Sequence, residues 1–114
     1  KSMKILTREQ FIKMPSGTVF SYYEPCVFRG LNIKDSDQVE MSPDFCISDL
    51  VGAVKNDSSD DYIEKCQRME LGESLPVDFE FSGREGLFDD NLLYAIYERE
   101  DIELLIKRLQ ETIK

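Results

Sequence analysis

The sequence predicts an α+β domain: a small, largely antiparallel sheet of about four to five strands, with a C-terminal amphipathic helix and one or two further helices packed on it. Several short runs alternate apolar and polar residues, which is the period of half-buried strands. Near the end of the chain, leucine and isoleucine instead recur at helical spacing. Hydrophobic residues make up 41% of the chain, enough for a packed core, so we expect one compact domain over residues 3–114. Lys1 and Ser2, ahead of Met3, look like residues left from cloning.

The first predicted element is a short helix. Thr7, followed three residues later by Gln10, is typical of a capping box at a helix N-terminus. Phe11 and Ile12 would face the core, and Pro15 ends the helix.

A strand hairpin is predicted next. Residues 18–23 and 26–34 are rich in β-branched and aromatic side chains, and Glu24 and Pro25 interrupt them. Alternation along the second strand predicts a buried face that carries Val27, Leu31 and Ile33 and also holds Arg29.

The middle of the chain combines strand and helix patterns. Residues 43–54 fit either one, and we favour a short strand followed by a helix from about Ser48. Serine and aspartate at the end of the loop 56–61 are suited to cap a helix that runs through Glu70. Gly72 then suits a left-handed helix terminus.

The last third predicts two strands and a helix. Val77, Phe79 and Phe81 alternate with acidic residues, which predicts a strand with one buried face, and residues 82–86 form the turn after it. Residues 92–97 are apolar on both faces of the predicted strand, as in a central strand. We expect Asp101 to cap the final helix, whose apolar stripe consists of Ile102, Leu105, Ile106, Leu109 and Ile113.

Charge restricts the function more than any motif does. The formal net charge is −9, and the chain contains no histidine. A field of this sign repels nucleic acid and anionic membranes and favours basic partners. Histidine is the usual acid–base group near neutral pH and the commonest metal ligand, so we expect no enzyme activity and no cofactor.

Cysteine and carboxylate patterns support the same expectation. Cys26, Cys46 and Cys66 form no C-x-x-C pair, so we expect three reduced and mostly buried thiols. Asp35, Asp37 and Glu40 lack the spacing of a calcium loop, and we interpret them as a solvated acidic loop. No signal peptide or membrane-spanning run is visible, which favours a cytoplasmic protein.

Candidate binding residues lie in turns and on exposed strand positions. The segment 83–90 combines two glycines, a lone arginine and several acids, and Phe88 in it either binds a partner or folds into the core. One of two adjacent tyrosines must point away from the core and could anchor a partner. The candidate partner-binding residues are Tyr22, Tyr23, Asp57, Asp60, Asp61, Arg84, Glu85, Asp89 and Asp90.

Arg29 admits two interpretations. Its side chain either extends to solvent from an edge position or is held by an acid in a pocket. In the second case Arg29 and Arg84 would bind an anionic small ligand.

Two stretches of the chain resemble small acidic proteins of unassigned function that phages and prophages encode. The stretches are residues 17–28 (GTVFSYYEPCVF) and residues 78–90 (DFEFSGREGLFDD), the latter followed by LLYAIYE. The resemblance implies an accessory protein that binds a host protein, such as nucleic-acid-binding defence machinery whose groove is basic. It transfers no functional residue to this chain.

The sequence therefore predicts a non-catalytic, acidic interaction protein that inhibits or regulates a basic host protein. The alternative hypothesis is a protein that binds or sequesters a nucleotide or metabolite. Pairing of an exposed edge strand could also form a homo-oligomer.

Overall fold

The fold is built around one antiparallel sheet, seen here in a computed structural model that describes residues 2–36 and 44–113. The elements are β1 (Lys4–Thr7), α1 (Arg8–Ile12), β2 (Val19–Glu24), β3 (Val27–Lys34), β4 (Cys46–Asp49), β5 (Ala53–Val54), α2 (Ser59–Glu70), β6 (Val77–Asp78), β7 (Phe81–Arg84), β8 (Leu93–Tyr97) and α3 (Arg99–Gln110). The main sheet has the order β1-β8-β2-β3-β4-β7, and β5 pairs with β6 in a second, two-stranded sheet. The predicted α+β class is confirmed, with more strands than the four or five expected.

The core lies between α1 and one face of the main sheet. Phe11 of α1 stacks on Tyr94 with ring centroids 4.3 Å apart, and Phe20, Phe45 and Ile96 complete the buried cluster. Thr7 and Gln10 form the predicted capping box, which starts α1 directly at the end of β1.

α3 lies on the opposite face of the sheet. Its Leu105 shares a groove with Leu31 and with Tyr97, which points away from Tyr94 because side chains alternate along a strand. The expectation that the helices pack on one side is therefore wrong. β8 is the predicted central strand, between β1 and β2, and its two apolar faces explain why helices cover both.

The hairpin of β2 and β3 is confirmed, but the buried face of β3 is the other one. Asn32 and Lys34 are buried, whereas Val27 and Arg29 are exposed. The Lys34 ammonium can be buried because it donates hydrogen bonds to the carbonyl oxygens of Ile12 (3.2 Å) and Met14 (2.7 Å).

The predicted helix from Ser48 is wrong. Residues 46–49 form β4, which pairs with both β3 and β7. The backbone then turns, because the Asp49 carboxylate accepts a hydrogen bond from the Val51 N–H at 3.2 Å.

The single strand predicted around Val77, Phe79 and Phe81 is divided between the two sheets. β6 pairs with β5, and β7 pairs with β4. Between them the Asp78 carboxylate accepts a hydrogen bond from the Glu80 N–H, which turns the chain, and all three apolar side chains remain exposed. The expected buried face is wrong, and residues 82–84 lie in β7 instead of forming the turn.

Both long helices are confirmed near their predicted positions. Ser58 caps α2, and Gly72 after it has a φ of +102°, as the left-handed terminus requires. α3 begins after Glu98, whose N–H donates to the Asp101 carboxylate at 2.8 Å. Asp101 thus stabilises the helix start from its third position and is not the N-cap itself.

Candidate interaction site

The negative charge is concentrated in residues 49–80, which we name the acidic lobe. This segment holds nine carboxylates and three cationic side chains, a net of −6 within the total of −9. Residues 2–36 hold five cationic side chains and three carboxylates, a net of +2. The lobe is attached at β4, next to the edge strand β7, whereas β1 forms the far edge of the sheet. The molecule is therefore acidic at one end of the strand order.

The short second sheet holds the acidic lobe together. Ala53 pairs with Asp78 and Val54 with Val77, and the Lys55 N–H donates to the Pro76 carbonyl oxygen at 3.1 Å. α2 packs on β5. These contacts bring the acids before and within α2 into the same lobe as Asp78 and Glu80.

The three aspartates predicted at the start of α2 have different roles. Asp61 accepts a hydrogen bond from the Asp57 N–H at 2.9 Å and pairs with Lys65 at 3.1 Å, and these contacts lower the pKa of its carboxyl group. The Asp57 and Asp60 side chains are exposed, and no described residue pairs with their carboxylates. Asp61 is therefore structural, while Asp57 and Asp60 remain open to a partner.

Large apolar side chains are also exposed on the acidic lobe and at the start of β7. Phe79 is 61% exposed and Leu71 is 89% exposed. The others are Val51, Ile63, Val77 and Phe81. Aromatic and aliphatic surface beside carboxylates is typical of a protein interface.

A cleft of about 340 Å³ opens between α2, the β4–β5 turn and the start of β7. Tyr62 from α2 and Phe81 from β7 line it, together with Asp49, Gly52 and Asn56. Among residues 2–36 and 44–113, no lysine or arginine lines it. The cleft is therefore aromatic and carries negative charge.

Two acceptors face this cleft region. Asp49 is half-buried, and within residues 2–36 and 44–113 no cationic side chain pairs with it. The Asn56 amide nitrogen donates to the Val54 carbonyl oxygen at 2.9 Å, which leaves the Asn56 side-chain oxygen as an acceptor.

The pKa of Tyr62 is raised, mainly by a hydrogen bond with the Cys66 thiol and less by the nearby Asp49 charge.

Glu85, predicted as a partner-binding residue, is buried in the core. Its carboxylate accepts hydrogen bonds from Arg8 Nη1 (2.8 Å), Tyr94 OH (2.9 Å) and Tyr22 OH (3.1 Å). The side chain of Glu85 is inaccessible to solvent, as is nearly all of Arg8. Among the described residues no buried polar side-chain atom lacks a hydrogen-bond partner. Glu85 cannot contact a partner protein, because its side chain is buried. Its role is to stabilise the core.

The adjacent tyrosines separate as expected, one toward the core and one away from it. Burial raises the pKa of Tyr22, and the charge of Glu85 raises it further. Tyr23 lies on the other face, half-buried, where its ring packs on Phe28 at 5.2 Å and its OH accepts from the Cys26 N–H. Tyr23 therefore belongs to the hairpin tip, outside the acidic lobe.

The arginines proposed for an anionic ligand each pair with a carboxylate. Arg29 is exposed and lies 3.4 Å from Glu24, which fits the solvent-exposed interpretation of this residue. Arg84 Nε donates to the buried Asp44 at 2.9 Å, and its side chain remains 60% exposed.

The remaining predicted residues, Asp89 and Asp90, are exposed and lie outside the lobe. The Asp89 carboxylate accepts the Asn91 N–H at 2.9 Å, and Asp90 lies beside Thr7 and Glu9 at the start of α1. Phe88 is 51% exposed with a φ of +51°, so the interpretation that it folds into the core is wrong.

The acidic cluster at residues 98–103 does not join the lobe. Residues 98–103 lie at the end of β8 and in α3. Asp35 accepts a hydrogen bond from Ser82 in β7, while Asp37 and Glu40 lie outside the described residues.

The cysteines and acids of the described segments form no group of three or more that could hold a metal ion. All three cysteines are free. Cys26 is exposed and Cys46 and Cys66 are half-buried, so the expected burial is wrong. In the same segments, no helix has the length and apolarity needed to cross a membrane.

Comparison with known proteins gives no relative: the chain matches no protein-family model, and no curated protein or solved structure is significantly similar to it.

Sequence patterns missed the cleft entirely. Helical spacing predicts that Tyr62 lies on the apolar side of its helix, and alternation predicts a buried strand face for Phe81. Such patterns indicate a face without showing what covers it. Asp49 was placed in a helix. Composition gives no signal either, because residues 49–80 contain only two aromatic residues, Tyr62 and Phe79.

Proposed function

We propose that this protein is a non-catalytic interaction protein that uses its acidic lobe to bind a basic surface of another protein. Nucleic-acid-binding proteins present such surfaces. Following the resemblance noted above, the partner is a cytoplasmic host protein that a phage- or prophage-encoded factor inhibits or regulates.

The observation that carries this proposal is the concentration of charge. Residues 49–80 carry a net −6, and the same segment exposes Phe79 and Leu71. Carboxylates steer a basic partner into contact, while burial of apolar side chains supplies affinity.

Surface area supports the same conclusion. The chain exposes 8102 Å², whereas a compact monomer of this mass exposes about 6,400 Å². The difference of roughly 1,700 Å² is about twice what one partner contributes to a standard interface. The molecule therefore exposes more surface than a compact monomer of its mass, enough to contribute one side of an interface.

A protein that binds an anionic metabolite is less well supported. Arg29 and Arg84, the residues expected to hold the anion, each have a carboxylate partner in Glu24 and Asp44. An anion would have to displace that carboxylate.

Charge reversal in the acidic lobe tests the proposal. In the variant D57K/D60K/E64K we expect affinity purification from the native host to lose the partner that wild type recovers. With that purified partner, association in low salt should be at least about tenfold slower, because steering depends on the local field. Stopped-flow or surface-based kinetics at several salt concentrations measure this.

The matched control is D90K/E103K/E111K, which changes the net charge equally outside the lobe. We expect it to retain the partner. Equal loss of binding in both variants would show that only total charge matters, and undiminished binding in the lobe variant would exclude this surface.

A further inference from the structure

The cleft of the acidic lobe has the size of a site for one long side chain. Its volume is about 340 Å³, at the lower limit of the roughly 300–1,000 Å³ of small-molecule sites. Asn56 and Ser59 of its lining are the sequence neighbours of Asp57 and Asp60, the exposed carboxylates expected to attract a basic surface. A side chain projecting from such a surface can reach it.

The walls of the cleft suit the stem and head group of a cationic side chain. Tyr62 and Phe81 present aromatic rings, which attract ammonium and guanidinium groups through their negative faces. Ala53 and Ile63 add apolar surface against which a methylene stem can pack.

Polar groups in the cleft accept hydrogen bonds and carry negative charge. The half-buried Asp49 carboxylate has one backbone donor, the Val51 N–H, and no cationic partner among the described residues. Asn56 supplies a second oxygen. An anion would be repelled here, and a neutral apolar group would desolvate Asp49 without replacing its lost hydrogen bonds.

We infer that this cleft receives the cationic side chain of a lysine or arginine from the basic partner, with Asp49 contacting the charge and Tyr62 and Phe81 enclosing it. The inference rests on the proposed function for the identity of the partner. The chemistry of the cleft can be tested without that partner.

The test is an NMR titration of ¹⁵N-labelled protein with four small probes. Nα-acetyl-lysine methylamide and its arginine equivalent carry the cation, the norleucine equivalent has the stem without the charge, and the glutamate equivalent has the opposite charge. We expect saturable shifts of the Gly52, Ala53 and Tyr62 amide signals with the two cationic probes only. The stronger of these two identifies the preferred head group.

Two variants locate the binding group. D49N removes the charge and should weaken binding of the cationic probes about tenfold, as expected for loss of a charged hydrogen-bond partner. G52A should have a similar effect without changing any charge. A Cβ on Gly52 would lie 2.0 Å from Asp49 Oδ2, so the carboxylate would have to move.

Gly83 provides the matched control for G52A. A Cβ on Gly83 meets no atom within 4 Å, and neither glycine has a positive φ. G83A should therefore bind the cationic probes like wild type. The amide signals of β8 and α3 in each spectrum show whether the variant is folded.

Three results with the small probes would overturn the inference: no saturable shifts with either cationic probe, equal shifts with the norleucine probe, or unchanged binding of the cationic probes in D49N. None of them would contradict the proposed function, which depends on D57K/D60K/E64K and the purified partner. If cationic probes bind the cleft and D49N leaves partner affinity unchanged, the cleft is not part of the interface and the inference is wrong.

Discussion

At the scale of single residues, the buried pair of Arg8 and Glu85 is the most consequential contact. Arg8 is the first residue of α1, and Glu85 comes directly after β7. Their contact therefore joins two segments that are 77 positions apart in the sequence. The Arg8 guanidinium also lies 5.3 Å from the centre of the Phe45 ring. Removing one member of such a pair strongly lowers the free energy of unfolding, because water cannot reach the charge that remains buried.

We expect E85Q to lower the free energy of unfolding by about 3 kcal/mol, because the buried Arg8 guanidinium loses the negative charge of Glu85. Urea unfolding at neutral pH measures the change. E24Q, which removes the exposed partner of Arg29, is the control and should cost less than about 1 kcal/mol. Similar losses in both variants would contradict a structural role for the buried pair.

Sequence patterns could not identify this pair. Glu85 lies in a segment rich in glycine and acids, which indicates a surface loop, and nothing local distinguishes it from Asp89 or Asp90. Its burial depends on Arg8, Tyr22 and Tyr94, which three separate elements supply. Contacts between residues distant in sequence are not encoded in spacing.

At the scale of elements, Asp44 ties the start of β4 to the chain after β7. It is fully buried and accepts hydrogen bonds from the Gly86 N–H and from Arg84, both at 2.9 Å. Burial alone would raise the pKa of the Asp44 carboxyl group. The hydrogen bonds from Gly86, Phe45 and Arg84 outweigh burial and lower the pKa below its usual value of 3.8.

This lowered pKa predicts an acid-sensitive contact. The stabilisation is fully present above the unfolded pKa and is lost as the pH falls through the lower folded value, because protonation removes the acceptor charge. We expect the stability advantage of wild type over D44N to be constant near neutral pH and to shrink below about pH 4. Urea unfolding from about pH 7 to about pH 2.5 measures it.

D60N serves as the control for D44N, since Asp60 is exposed and no described residue pairs with it. Its stability should follow that of wild type at every pH. A wild-type advantage over D44N that persists unchanged into acid would mean that the Asp44 charge does not hold this junction.

Elements with a complete local pattern were predictable, and elements defined by their partners were not. α3 has an apolar stripe and α1 has a capping box, so both could be placed from sequence. β5, β6 and the division of residues 77–84 depend on which strand each one pairs with. Alternation of Val77, Phe79 and Phe81 predicts one extended strand, but it shows neither the turn between β6 and β7 nor whether a face is buried.

At the scale of the whole molecule, the fold is more extended than its length requires. The radius of gyration is 15.9 Å, against about 13 Å for a compact domain of this size. The described residues include at least fifteen large apolar side chains that are 41% or more exposed. α3 contributes Leu104, Ile106 and Leu109 to this set, and the last two belong to the apolar stripe that is predicted to face the core. Partial coverage of the sheet explains the large surface.

Net charge should make the isolated chain more stable as salt increases. Carboxylates crowded in the acidic lobe repel one another, and salt screens this repulsion while leaving the buried Arg8–Glu85 pair nearly unaffected. From about 10 mM to about 300 mM NaCl we expect the melting temperature to rise by roughly 4 °C, the effect of about 1 kcal/mol. Differential scanning calorimetry measures the shift.

The same increase in salt should weaken binding of a basic partner, so stability and affinity change in opposite directions. D57K/D60K/E64K should show a smaller thermal response to salt than D90K/E103K/E111K. A melting temperature that falls with salt would contradict net repulsion within the folded chain.

The acidic lobe carries a net −6 and the rest of the chain a net −3. Because the lobe lies at one end of the strand order of the main sheet, this uneven division gives the molecule a permanent electric dipole. In the field of a cationic surface such a dipole experiences a torque before any atoms touch. The acidic lobe therefore turns toward the cationic surface before contact, and fewer encounters occur in unproductive orientations. A variant that keeps the net charge of −9 but exchanges charges between the two ends would lose this guidance while remaining equally acidic.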